Sequence, residues 1–259
     1  MKNIKQLGQH WLKDRKVISK IVSYANLTKD DTVLEIGPGL GTMTSELLRQ
    51  ADKVIAVEFD KNLASNLPSQ FPGKNLEVVN QDILSFNFNN LPKGYKVVAN
   101  IPYYITNKIV NALLNAENKP SKIVLLVQKE VAERLASKPG DMSVLAISAQ
   151  VYSDVRLGEI VPASMFTPPP KVDSRVVVLD MKQSDFFNDI NEKDFFRVVK
   201  AGFLAKRKKL RSSLSGGLNL SKSEIEQLFE SVGIDANKRA ESLTLDDWRS
   251  LTKILNSSR

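Results

Sequence analysis

The chain has 259 residues, 42% of them hydrophobic, and a formal charge of +8, enough for one substantial core plus a small second domain and a bias toward polyanions, nucleic acid first. It has no cysteine and a single histidine, His10, which excludes thiolate nucleophiles, Cys-ligated zinc, iron–sulfur centres, a Ser-His relay built on a second histidine, and cysteine-dependent methylation of pyrimidine carbon-5. The opening residues, MKNIKQLGQHWLKDRKV, hold no apolar run of signal-peptide length and no window approaches a membrane span, so the expected compartment is cytoplasmic.

From about residue 14 to 182 short β-rich runs alternate with helical patterns. TVLEIG, KVIAVEF, NLEVVN, YKVVAN and KIVLLVQ are too apolar for strands with one wet face. Between them GTMTSELLRQA, DKNLASNL and TNKIVNALLNA carry helical spacing, and the alternation predicts an α/β fold, a parallel sheet with helices on both sides. DVRLGEIV and SRVVVLDM follow with no helix between them and are expected to add antiparallel edge strands. Beyond KQSDFFNDINEKD the pattern is helical only: EKDFFRVVKAGFLAKRKKLRSSL, then SKSEIEQLFESVGI with Ser221 and Glu224 spaced as a capping box, then LDDWRSLTKIL with Trp248, Leu251 and Leu255 on one stripe. The expected division is a domain over 1–182 and a small all-helical domain over 183–259.

VLEIGPGLGTMT leaves a strand and opens a helix, with Gly37, Gly39 and Gly41 in the turn. Glycines there let a backbone turn sharply and approach a ligand with no Cβ in the way. Thr42 stands where a dinucleotide fingerprint wants Gly or Ala, which weakens a pyrophosphate reading. Glu58 lies 21 residues after Gly37 at the end of the next strand, where an acid can accept from both hydroxyls of an adenosine ribose. Asp82 ends the third strand, where its carboxylate could accept an adenine amino group, although Asp60 and Asp82 also suit helix N-caps. An adenosine-bearing cofactor without pyrophosphate fits, and S-adenosylmethionine is the obvious one.

The stretch VVANIPYYIT ends a buried strand near Asn100, since Pro102 has no N–H for a ladder. An adenine amino nitrogen is a poor nucleophile because its lone pair is delocalised into the ring. Acceptors aimed at its two N–H groups favour a pyramidal nitrogen, and the Asn100 side-chain oxygen and the Ile101 carbonyl suit that role, with Pro102 setting the turn. Tyr103 would stack on a splayed-out base. Asn100 as a turn residue and Tyr103 as a core aromatic are the plain alternatives.

Taken together, LGQHWLKD, VLEIGPGLGTMT, NQDIL, ANIPYYIT, VQKEVAERL, FTPPPKVDSRVV and FLAKRKKLRSSL resemble the KsgA/RsmA family, ribosomal RNA small-subunit adenine N6-dimethyltransferases, from about residue 4 to 250. The resemblance implies a Rossmann-like class I S-adenosylmethionine-dependent methyltransferase sheet followed by a small helical domain. It implies dimethylation of two adjacent adenines in the 3′-terminal hairpin loop of 16S ribosomal RNA, late in small-subunit assembly. Carried over by motif, the cofactor contacts would be His10, Leu12, Gly37, Glu58, Asp82 and Asn100, with Gly39 in the same turn. Phe166 would clamp the base opposite Tyr103, against the alternative of a strand-cap aromatic packed by Pro168 to Pro170. The family's usual first stretch reads G-Q-N-F-L, whereas this chain has His10 and Trp11.

AKRKKLR puts Lys206, Arg207, Lys208, Lys209 and Arg211 within seven residues, expected on a helix and in contact with RNA phosphates in the immature 30S subunit, against the alternative of a solvated helix face. Three rivals share some of these features. A macrolide-resistance type enzyme would modify large-subunit RNA, but FTPPPKVDS and RAESLTLDDW favour the small-subunit family. A ribosome-assembly or transcription-associated binding factor could keep the site as a relic. A protein-glutamine or DNA-adenine methyltransferase would more often carry a diproline where Ile101 stands. A monomer is the default expectation.

Overall fold

In the computed structural model, which describes residues 10–183, 186–205, 207–235 and 237–257, the apolar runs pair into one seven-stranded sheet. In chain order the elements of this part are β1 (Trp11–Leu12), α1 (Arg15–Ser23), β2 (Thr32–Ile36), α2 (Thr42–Gln50), β3 (Lys53–Glu58), α3 (Lys61–Asn66), β4 (Leu76–Asn80), β5 (Lys96–Asn100), α4 (Thr106–Asn115), β6 (Lys122–Gln128), α5 (Lys129–Leu135), α6 (Val144–Tyr152), β7 (Ser153–Val161), β8 (Phe166–Thr167) and β9 (Ser174–Met181). The sheet order is β4-β3-β2-β5-β6-β9-β7. β4 through β6 run parallel, whereas β9 and β7 join antiparallel.

The central strands β2, β3, β5, β6 and β9 are buried along nearly their whole length, as strands covered on both faces must be. On one face Val33, Val54, Val98, Val124 and Val176 pack with Ile18, Ile21 and Val22 of α1 and Leu47 and Leu48 of α2. Each such side chain contributes about 1.5–3 kcal/mol by leaving water. NLEVVN departs from the expectation for a buried strand: β4 has no fully buried residue, because it lies at the sheet edge with β3 as its single neighbour. The chain order reverses between β2 and β5, and the crevice beyond the carboxyl ends of strands at such a reversal is where open α/β sheets bind ligands.

The chain divides into two compact units, Met1–Glu133 with Ser153–Met181, and Arg134–Tyr152 with Lys182–Arg259. The second unit therefore includes a segment that a single cut at 182 assigns to the first. The reason is packing: Ala146, Ile147 and Val151 of α6 belong to the helical core. That core is completed by α7 (Glu192–Gly202), α8 (Leu210–Leu218), α9 (Lys222–Val232) and α10 (Leu245–Ser257), around Phe195, Leu214, Phe229, Trp248 and Leu251. Ser221 and Glu224 form the expected capping box on α9. Leu255 is half-buried against the same core.

The long helix expected over 192–214 is broken into α7 and α8. A Cβ on Gly202 would clash with the Trp248 ring, so α7 ends where it packs tightly against α10. Like charges at helical spacing and cations at a helix N-terminus both disfavour carrying the helix through the basic run. Among the described residues no helix is long and apolar enough to cross a membrane.

Candidate functional site

A cavity of about 340 Å³ opens at the carboxyl ends of β2, β3 and β5. The turn after β2 is one wall. Gly37, Gly39 and Gly41 all have positive φ, and nothing lies within 4 Å of where a Gly37 Cβ would stand, so this backbone is bare toward the cavity. Gly39 is required for a different reason: its Cβ would lie 2.2 Å from the Trp11 ring. Gly39→Ala is expected to displace Trp11 and lower stability by about 1–3 kcal/mol, read as a lower melting temperature with a shifted tryptophan emission. Gly37→Ala should carry only the backbone cost of roughly 1 kcal/mol.

Glu58 ends β3 and is 6% exposed. Its Oε2 accepts the Gly39 N–H at 3.1 Å and its Oε1 the Asp60 N–H at 2.9 Å. These bonds hold the glycine turn against β3 and leave each oxygen a second lone pair for a hydroxyl donor. Burial pushes the carboxyl above its ordinary range, against the pull of the Asp60 and Gly39 N–H groups. Asp60 caps α3. Asp82 also acts as a cap, accepting the Leu84 N–H at 2.9 Å through Oδ1, and it lines the cavity as well.

Opposite the glycine turn, β5 ends at Asn100 and the chain turns through Ile101 and Pro102 into Tyr103 and α4. Asn100 Nδ2 donates to the His10 carbonyl oxygen at 3.4 Å. A carbonyl can only accept, so the side-chain oxygen of Asn100 is the end left for another donor. Tyr103 is half-buried, its hydroxyl 2.6 Å from Ser174 Oγ, and burial raises its pKa above the usual phenol value while the Ser174 hydrogen bond opposes the rise. The His10 ring stacks on Tyr103 with centroids 5.7 Å apart and planes at 22°, and His10 Nδ1 lies 2.8 Å from the Pro168 carbonyl oxygen.

The structure thus brings His10, Leu12, Gly37, Gly39, Glu58, Asp82, Asn100, Ile101, Pro102 and Tyr103 to one cavity. Phe166 is not among them. It is 3% exposed and packs in the core with Leu12, Ile18 and Val161, because β8 pairs with β1 in the register Leu12↔Phe166. In this arrangement Phe166 is a packed core aromatic and does not line the cavity.

Two charged-type lining residues, Glu35 and Lys108, escaped the sequence reading. Glu35 lies in the middle of β2, 1% exposed, with Thr44 Oγ1 donating to its Oε2 at 2.6 Å. Burial first, then the nearby Glu58 charge, raise its pKa to about 8 against the pull of the Thr44 hydroxyl. A carboxylate inside an otherwise apolar strand was the available signal, since such a group has no solvated face to occupy. Tyr104 and Lys108 stand at the cavity rim, Tyr104 63% exposed.

In the second unit Arg207, Lys208 and Lys209 lie in the turn between α7 and α8 rather than on a helix. Arg207, Lys208 and Lys209 are exposed, with Lys209 Nζ donating to Asn237 Oδ1 at 2.6 Å. Arg211 is on α8 and pairs with Glu226, so its charge is already answered within the unit. Lys206 lies outside the described residues.

The sequence matches the family Ribosomal RNA adenine dimethylase over residues 1–257. A relative from Dehalococcoides mccartyi, Ribosomal RNA small subunit methyltransferase A, is 42% identical over 97% of this chain and 88% of its own. The protein of the same name from Clostridioides difficile is 40% identical, covering 98% and 91%. Among solved structures, a dimethyladenosine transferase from Plasmodium falciparum superposes with a TM-score of 0.84 at 29% identity, covering 96% of this chain and 98% of its own. The 23S rRNA methyltransferase ErmE gives a TM-score of 0.76 at 28% identity, covering 95% and 99%.

Proposed function

Because the chain belongs to the ribosomal RNA adenine dimethylase family, we propose that it dimethylates N6 of two adjacent adenines in the 3′-terminal hairpin loop of 16S ribosomal RNA during small-subunit biogenesis. The observation that carries this reading is the meeting of Glu58, Asp82 and the Asn100–Tyr103 turn in one cavity. S-adenosylmethionine is the cofactor that these groups suit, and when bound it supplies a methyl group on a sulfonium.

The cavity passes a test of fit for that cofactor. The bare Gly37 backbone allows close approach. Glu58 keeps lone pairs for two ribose hydroxyls while its N–H bonds hold the carboxylate in place. Asp82 has one oxygen committed as a cap and the other available for an adenine amino group. His10, Leu12, Gly39 and Asn100 complete the proposed cofactor wall.

For the target base, the Asn100 oxygen and the Ile101 carbonyl would accept the two amino hydrogens and so localise the nitrogen lone pair. Pro102, with φ −59° and ψ 132°, sets the turn that follows Asn100 and Ile101. The face of Tyr103 not covered by His10 would stack on the base. The methyl donor is reactive enough that no strong base is required to start the transfer.

The second unit would contribute RNA affinity through Arg207, Lys208 and Lys209. Replacing these three with Ala is expected to weaken subunit binding and to lower the log–log salt slope by about 2–3. An unchanged slope in a binding titration would show that the turn does not touch phosphate.

The deciding experiment gives the protein methyl-labelled S-adenosylmethionine with 30S subunits lacking adenine dimethylation or with 50S subunits, then maps the label by nucleoside analysis. Dimethyladenosine confined to the small-subunit RNA is the expected result. Label in the large subunit would move the protein to the activity named for ErmE, and cofactor binding without transfer would favour an assembly factor.

A further inference from the structure

The FTPPPKVDS stretch sends Phe166 into the core, but it meets two rings of the cavity at other points. The Pro168 carbonyl oxygen lies 2.8 Å from His10 Nδ1, and since a carbonyl only accepts, the imidazole is the donor. Ser174 Oγ lies 2.6 Å from the Tyr103 hydroxyl. Ser174 is fully buried, and among the described residues these two hydroxyls have only each other as hydrogen-bond partners. The backbone that carries the serine is held on both sides, because Ser174 of β9 pairs with Gln128 of β6 and with Val161 of β7.

We propose that Ser174 is a positioning residue for methyl transfer, its hydroxyl aiming the Tyr103 side chain while the His10 stack sets the plane of the Tyr103 ring. The proposal rests on the reading above, in which the target adenine stacks on the face of Tyr103 that His10 leaves uncovered. The hydroxyl oxygen of a tyrosine lies on the axis of its Cβ–Cγ bond. Holding that oxygen therefore fixes where the side chain points, the χ1 torsion, but lets the ring turn about its own axis, χ2. A stacked neighbour does the reverse: the His10 ring, with centroids 5.7 Å apart and planes at 22°, resists rotation of the Tyr103 plane. The two contacts restrain complementary torsions, and residues 168–174 supply both, Pro168 through His10 and Ser174 directly. A base stacked on a ring that swings about χ1 is carried away from the Asn100 oxygen and the Ile101 carbonyl, and a small displacement of a reacting group lowers the rate. Phenylalanine would stack equally well but could not be aimed, which gives the tyrosine hydroxyl a role that needs no proton transfer.

Ser174→Ala and Tyr103→Phe each remove one hydroxyl and keep the ring. Each is expected to lower kcat for transfer to 30S subunits lacking adenine dimethylation by about 3–10-fold, the worth of one hydrogen bond, with KM for the subunit and cofactor affinity within about twofold of wild type. The double variant should lose no more than either single one, because both break the same bond. Melting temperature separates positioning from folding. Each single variant strands a hydroxyl that has lost its partner and should melt lower, whereas the double variant strands none and should recover. Transfer should stay low in the double variant while its melting temperature returns. Ser174→Cys, a weaker donor, takes the place of the alanine variant where that one does not fold. Transfer that recovers together with stability, losses that multiply in the double variant, a loss confined to KM, or wild-type kcat in either single variant overturns the proposal alone. Wild-type protein that methylates neither subunit overturns the functional reading and the proposal with it.

Discussion

Asn100→Ala is expected to lower methyl transfer on the order of 10²-fold or more, well beyond any loss of cofactor affinity, while leaving the melting temperature close to wild type. The side chain lies at the end of β5 and donates a 3.4 Å hydrogen bond to the His10 carbonyl. That bond is long and contributes little to folding. What the alanine removes is the acceptor that would hold one amino hydrogen of the target base, an interaction that matters most as the nitrogen becomes pyramidal. The effect should therefore fall on kcat more than on KM. Asn100→Asp is the sharper control: it keeps an acceptor but loses the donor to His10, so partial activity is expected from it. Single-turnover transfer to 30S acceptors, with cofactor binding measured separately, checks both variants. Wild-type turnover by the alanine variant would remove Asn100 from the reaction.

The ends of the strands were the most legible part of this chain. Apolar runs separated by helical spacing imply strands buried on both faces, and Glu58, Asp82 and Asn100 each close such a run, so a parallel sheet brings them to one edge. Long-range pairing left a weaker trace. The two-residue ladder of Trp11–Leu12 with Phe166–Thr167 has no periodicity to read, and it is this ladder that buries Phe166 and seats His10 beside Tyr103. The basic run shows the opposite failure. Helical spacing continues through it in sequence, but Gly202 against Trp248 and the repulsion of neighbouring cations end the helix first. The mostly apolar α6 gave no hint of which core it would join. Glu35 was visible in VLEIG and escaped because attention to the glycines makes the strand before them look merely structural.

Glu35→Gln is expected to stabilise the protein, and by an amount that grows with pH. Glu35 is buried with its pKa raised from 4.5 to about 8, so between those values the folded state holds a proton that the unfolded state has released. The stability tied to this group is fully present below pH 4.5 and is lost as pH rises toward 8, with a slope of about 1.4 kcal/mol per pH unit. At pH 7 the wild type would have lost about 3 kcal/mol, and glutamine loses none of it. The Thr44 hydroxyl, which donates to Glu35 Oε2 at 2.6 Å, can donate equally to the glutamine oxygen. Near pH 5 the two proteins should therefore melt within a degree or two of each other. By pH 8 the variant should melt higher by on the order of 5–10 °C, since a residue change worth several kcal/mol moves the midpoint of a chain this size by a few degrees each. Parallel melting curves at all pH values would mean that Glu35 is ionised in the folded protein, with its charge answered by a group in the cavity. A gap that opens with pH would show a neutral carboxyl beside Glu58, held there first by burial and secondarily by the nearby Glu58 charge.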